Sequence, residues 1–107
     1  MSHPRDWKFK RLKIDEDLIN TIDNLAGTRG EQKADILGET IEWFVKNRSD
    51  GTLPPRYFVS PNDAPYTGLW LKPDTIRKIE ELAQTDNQNP NRVIYTAIAR
   101  FIERDKS

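Results

Sequence analysis

FKRLKIDEDLINTIDNLAGTRGEQKADILGETIEWFV, residues 9–45, and YTGLWLKPDTIRKIEELAQTDNQNPNRVIYTAIARFI, residues 66–102, carry one pattern twice, without a gap, at an offset of 57. Leu12 and Ile14 fall on Leu69 and Leu71, and Ile19, Ile22, Leu25 and Ala26 on Ile76, Ile79, Leu82 and Ala83. Ile36, Leu37, Ile41, Phe44 and Val45 fall on Val93, Ile94, Ile98, Phe101 and Ile102. A repeat of this kind marks a supersecondary unit that cannot bury its apolar face alone and must share a core with its neighbour.

Within each copy the apolar spacing runs first at two, which is the period of a strand. It then runs twice at three to four, which is the period of a helix, with a polar break between. The reading is strand, helix, helix. In the first copy the break is Gly27-Thr28-Arg29-Gly30, where glycine suits a helix C-terminus. In the second it is Thr85-Asp86-Asn87-Gln88, followed by Asn89 and Pro90, an N-cap residue and a preorganised first helical position. Between the copies, Asn47 to Pro65 holds four prolines, which exclude a helix and predict an extended connector tacked down by Tyr57, Phe58 and Val59. We therefore expect one domain over 1–107, with motifs at 7–47 and 66–104 and a connector at 48–65.

Composition narrows the function classes. The chain has 107 residues, 36% hydrophobic and 32% charged, with a mean hydropathy of -0.80, enough for one small core. It has no cysteine, which excludes disulfides, thiol nucleophiles and Cys-ligated metals. The single histidine, His3, cannot build a catalytic triad or a His-ligated metal site. Asp15, Glu16 and Asp17 sit at a predicted helix start, where they complement the dipole, and there is no glycine-rich phosphate loop. No enzyme, cofactor or metal is expected. Without an apolar run of spanning length or a signal-peptide core, a cytoplasmic location is expected. The 17 basic and 17 acidic residues cancel, but the basic ones are unevenly placed. Arg5, Lys8, Lys10, Arg11 and Lys13 face a single acid, Asp6, before the first helix.

The paired motifs resemble the ribbon-helix-helix (MetJ/Arc/CopG) superfamily. The residues that carry the resemblance are Leu12-x-Ile14, Leu25-Ala26 and Ile36-Leu37-x-x-Thr40-Ile41-x-x-Phe44, with Leu69-x-Leu71, Leu82-Ala83 and Val93-Ile94-x-x-Ala97-Ile98-x-x-Phe101 in the second copy. The tandem arrangement is similar to TraY-type relaxosome accessory proteins of conjugative plasmids. The resemblance implies a mainly α fold in which two strands form an antiparallel ribbon, here as a pseudo-dimer within one chain. It also implies sequence-specific binding of double-stranded DNA through the major groove. The role would be a transcriptional regulator or a DNA-processing accessory factor on a mobile element, with a protein partner in either case. Higher assembly along DNA is a family habit. An antitoxin role is disfavoured, because only five residues follow Ile102.

If Leu12 and Ile14 face the core, then Phe9, Arg11 and Lys13 face outward, as do Tyr66, Gly68 and Trp70 in the second strand. The family's symmetric pairing puts Arg11 opposite Gly68, Phe9 opposite Trp70 and Lys13 opposite Tyr66. Arg11 is then expected over side-chain-free Gly68, chelating guanine, with Lys13 on guanine or phosphate and Trp70 against a thymine methyl. Phe9 and Tyr66 complete the candidate base-reading set, and the unlike halves predict a non-palindromic site. An aromatic cluster on a ribbon also suits protein contact, which gives the alternative reading of an interaction module that no longer reads DNA. The resemblance further implies phosphate contacts at the start of each second helix, Asn89 and Asn91 in one copy and Gln32 with Lys33 in the other, where Ala34 departs from the family's usual Ser or Thr. Lys8 and Lys10 are expected in a basic tail that tracks the backbone.

Overall fold

The computed structural model describes residues 6–106 and places two strands and four helices along the chain. Their order is β1 (Lys8–Lys13), α1 (Glu16–Arg29), α2 (Lys33–Ser49), β2 (Tyr66–Leu71), α3 (Pro73–Thr85) and α4 (Pro90–Lys106). The chain is thus mainly helical with a two-stranded antiparallel sheet. Arg5 and His3 lie outside the described residues.

β1 pairs with β2 so that Phe9 faces Trp70, Arg11 faces Gly68 and Lys13 faces Tyr66. This is the register that the symmetric pairing implied by the family resemblance puts forward. Alternation sends Leu12, Leu69 and Leu71 inward, each 3% exposed or less. Beneath the sheet, α2 and α4 pack together, and the first helix of each copy packs on both of them. One apolar cluster takes side chains from all six elements, with Ile22, Ile36, Ile41, Ile79, Val93 and Ile98 at its centre. Neither copy closes a core of its own.

The turns between helices show why two unlike sequences adopt one geometry. Gly30 takes a left-handed conformation at φ 66° after α1, and the Glu31 N–H donates to the Ala26 carbonyl at 2.9 Å. Asn87 takes the same conformation at φ 55° after α3, and the Gln88 N–H donates to the Ala83 carbonyl at 2.8 Å. Both are the closing bond of a Schellman-type cap, and asparagine is the non-glycine residue that tolerates the left-handed region best. At the other end of α3, Pro73 occupies the first helical turn.

The helices extend further than the repeat predicts. α2 continues two residues past 47, to Ser49, and α4 two past 104, so the non-helical connector is 50–65. The last turn of α2 is fixed from outside. Arg48 donates from Nε and Nη2 to the two carboxylate oxygens of Asp86, both at 2.8 Å, and from Nη1 to the Leu53 carbonyl at 2.9 Å. The Tyr57 hydroxyl donates to the same Asp86 carboxylate. Asp86 is 5% exposed and Arg48 13%, so this bidentate pair is well shielded from water. It ties the end of α2, the end of α3 and the connector together.

Tyr57 and Phe58 pack against the core, and the Phe58 N–H donates to Thr96 Oγ1 at 2.9 Å. Val59 does not join them. It is 70% exposed and lies just past the Phe58–Thr96 hydrogen bond that anchors the connector to α4.

Two outcomes follow for stability. Ile41→Ala and Ile98→Ala should each cost about 3 kcal/mol, and each variant should still unfold in a single transition by urea; two transitions would contradict the shared core. Asp86 is held below the ordinary carboxylate range, chiefly by the Arg48 hydrogen bonds. A depressed acid contributes stability that is complete above its unfolded value, near pH 4, and is lost as pH falls through the folded one. Asp86→Asn should therefore cost about 3 kcal/mol at neutral pH, by leaving the guanidinium unpaired. In paired urea titrations the difference from wild type should shrink below about pH 4.

Candidate nucleic-acid interface

The sheet has one face on the helices and one in solvent. The solvent face carries Phe9, Arg11 and Lys13 from β1 and Tyr66, Gly68 and Trp70 from β2, the six residues expected there. Phe9 is 50% exposed, Tyr66 61% and Trp70 38%.

These side chains sort themselves by chemistry along the ribbon. The Arg11 guanidinium lies 4.9 Å from the centre of the Tyr66 ring, and the Lys13 ammonium lies 5.3 Å from it. Both cations gather on one aromatic ring. Lys13 Nζ also donates to the Asn62 carbonyl of the connector at 2.7 Å. At the opposite end, the Phe9 and Trp70 rings stand 5.1 Å apart, tilted at 55°.

The expected place of Arg11 is corrected by this arrangement. Gly68 is covered by Phe9, not by Arg11. A Cβ built on Gly68 would stand 2.3 Å from Phe9 Cζ, so the ring lies in the space that glycine leaves open. Phe9 reaches it as a diagonal neighbour, while the guanidinium is drawn away to the tyrosine face. Lys8 and Lys10 are also relocated. They lie within β1, not in a tail, and alternate with Phe9 and Arg11 toward the helix-facing side at the ribbon's end.

The second helices start beside the ribbon and differ in how their first turns are filled. In α4, Asn89 Oδ1 accepts from the Asn91 N–H at 2.9 Å, and Asn91 Nδ2 donates to the Arg11 carbonyl at 3.4 Å. The first turn of α4 is thereby linked to the middle of β1 by neutral amides. In α2, the Gln32 N–H donates to Asp35 Oδ2 at 3.3 Å, and the other oxygen of Asp35 pairs with Lys72. The Asp35 carboxyl is held low chiefly by Lys72. A carboxylate of the chain's own thus stands at the start of α2, where a helix favours an anion. Lys33 is paired with Asp23 at 3.2 Å, and Ala34 is buried.

Asp35 and Lys72 were missed by sequence reasoning. The signal available was an acid three residues after the N-cap Gln32, the acidic position of a capping box. The Lys72 partner, 37 residues away, had none. Asp15 stands at the N-cap of α1, the helix start where it was expected, and also accepts from the Tyr95 hydroxyl at 3.0 Å. Burial, with this carboxylate beside it, pushes the tyrosine up to about 12. Among the described residues no group of three or more His, Cys, Asp or Glu is placed to hold a metal ion, and no helix is long and apolar enough to cross a membrane.

The Phe9–Trp70 contact is open to direct measurement. A double-mutant cycle of Phe9→Ala and Trp70→Ala, followed by urea unfolding, should give a coupling of about 1 kcal/mol. Coupling indistinguishable from zero would mean that the rings do not hold each other.

Compared with protein-family models, with curated proteins and with solved structures, the chain finds no significant match.

Proposed function

We propose that this chain is a sequence-specific double-stranded DNA-binding protein that reads the major groove with its β-ribbon. In this reading it is a single-chain pseudo-dimer of the ribbon-helix-helix type. It serves as a transcriptional regulator or as an accessory factor that positions DNA-processing machinery. The observation that carries the reading is the register centred on the Arg11–Gly68 pair, which makes a short ribbon with Arg11 and Lys13 on its free face. A two-stranded ribbon fits a major groove about 12 Å wide, and arginine and lysine are the side chains suited to guanine O6 and N7. The shared helical core behind the ribbon supplies the rigid support that groove reading requires. Lys13 reaches DNA by exchanging the Asn62 carbonyl for a base edge or a phosphate.

A second reading rests on its own observation. Phe9, Tyr66 and Trp70 are large, apolar and exposed on one face of a chain with no net charge, which suits a protein-docking surface.

The two readings separate in anisotropy titrations against randomised duplexes and selected sites at two salt concentrations. A groove reader should lose affinity about 10- to 100-fold between roughly 50 and 200 mM salt. Arg11→Ala with Lys13→Ala should weaken binding at least about 10-fold while lowering stability by no more than about 1 kcal/mol, because both side chains lie on the outer face of the ribbon, away from the core. Binding that is absent at both salts would leave the docking surface as the function of the ribbon.

A further inference from the structure

The ribbon face is divided by chemistry, and the division lies along the strands. Arg11 and Lys13 both lean on Tyr66, so the charge expected at the centre of the ladder is displaced toward one end. Among the described residues, the other end of this face is formed by Phe9 and Trp70, whose rings stand 5.1 Å apart. Phe9 reaches over Gly68 and leaves no room there for a further side chain, so the apolar surface extends to the middle of the ladder. Phe9 and Lys13 lie four residues apart on β1. At about 3.3 Å per residue that is roughly 13 Å, or about four base-pair steps.

Each end suits a different base-pair edge. In the major groove only thymine presents a methyl group, and only guanine presents two acceptors to a guanidinium or ammonium. The Phe9 ring, which has neither donor nor acceptor, cannot satisfy an exocyclic amine or a carbonyl oxygen, and covering those polar groups without a partner is unfavourable. The Phe9–Trp70 pair gains by covering a methyl group.

We infer that the recognised duplex is chemically polar along its axis, with a thymine 5-methyl group seated against Phe9 and Trp70 and a guanine edge about four steps away under Arg11 and Lys13. The inference rests on the groove-reading proposal and specifies its substrate. Phe9 and Trp70 are the specificity-determining residues for the A·T end, and the site has no twofold symmetry.

The test uses the full chain and a duplex that it selects from a randomised pool. Each thymine of the selected site is replaced singly by uracil, which removes the methyl group and keeps every Watson–Crick contact. Uracil should weaken binding about 5- to 10-fold at one or two adjacent positions on one side of the centre, and not at the mirror positions. Phe9→Ala and Trp70→Ala should bind thymine and uracil duplexes alike, and Phe9→Leu should restore part of the discrimination. Arg11→Ala should leave the uracil effect intact while relaxing preference at the guanine end. Uracil without effect at every position, or with equal effects on both sides of the centre, would overturn the inference while leaving DNA binding standing. Failure of the chain to select any sequence would overturn the groove-reading proposal, and the inference with it.

Discussion

The antiparallel pairing of β1 with β2 is the constraint on which the rest of the structure depends. A two-stranded ribbon is at best marginally stable alone in water. This one persists because Leu12, Leu69 and Leu71 on its inner face are sealed by α2 and α4. The dependence runs both ways. The helices of one copy expose an apolar surface that only the other copy covers, and the ladder brings the two copies into the orientation in which they can do so. The connector completes the arrangement, held at Tyr57 by Asp86 and at Phe58 by Thr96, and it delivers Pro65 to the Ile14 N–H where the ladder ends.

Much of this was legible because the chain repeats itself. An offset of 57 without a gap gives strand, helix and helix twice, and the symmetric pairing implied by the family resemblance then puts Arg11 opposite Gly68. The outward set followed from alternation alone. What escaped depends on pairs distant in sequence. Arg48 and Asp86 are 38 residues apart and are ordinary surface types, so nothing local announces that they form a shielded bidentate pair that prolongs α2. Asp35 and Lys72 escaped in the same way. The covering of Gly68 by Phe9 was missed for another reason. Alternation gives the face a residue occupies, whereas the direction of lean along that face is settled by competition between neighbours, here the Tyr66 ring for the cations and the glycine gap for phenylalanine.

The two copies share a backbone plan and differ in surface chemistry. Asn87 reproduces the geometry of Gly30 with a side chain, while Asp35 and Arg92, at equivalent positions in the first turns of α2 and α4, carry opposite charges. A homodimer must place identical groups on both sides of its axis. Two copies within one chain are free of that rule, because each can vary its exposed residues while the shared core holds its apolar ones. In the proposed reading, that freedom lets a single chain address a duplex whose two halves are unlike.

The register of the ribbon underlies both the shared core and the division of its outer face, and it can be measured without any ligand. Nuclear Overhauser contacts between backbone protons of β1 and β2 in the free chain would report it directly. The account predicts contacts linking Phe9 with Trp70, Arg11 with Gly68 and Lys13 with Tyr66, all within one molecule. Contacts displaced by a residue, which would turn Leu12 outward, or contacts found only between different molecules, would contradict it.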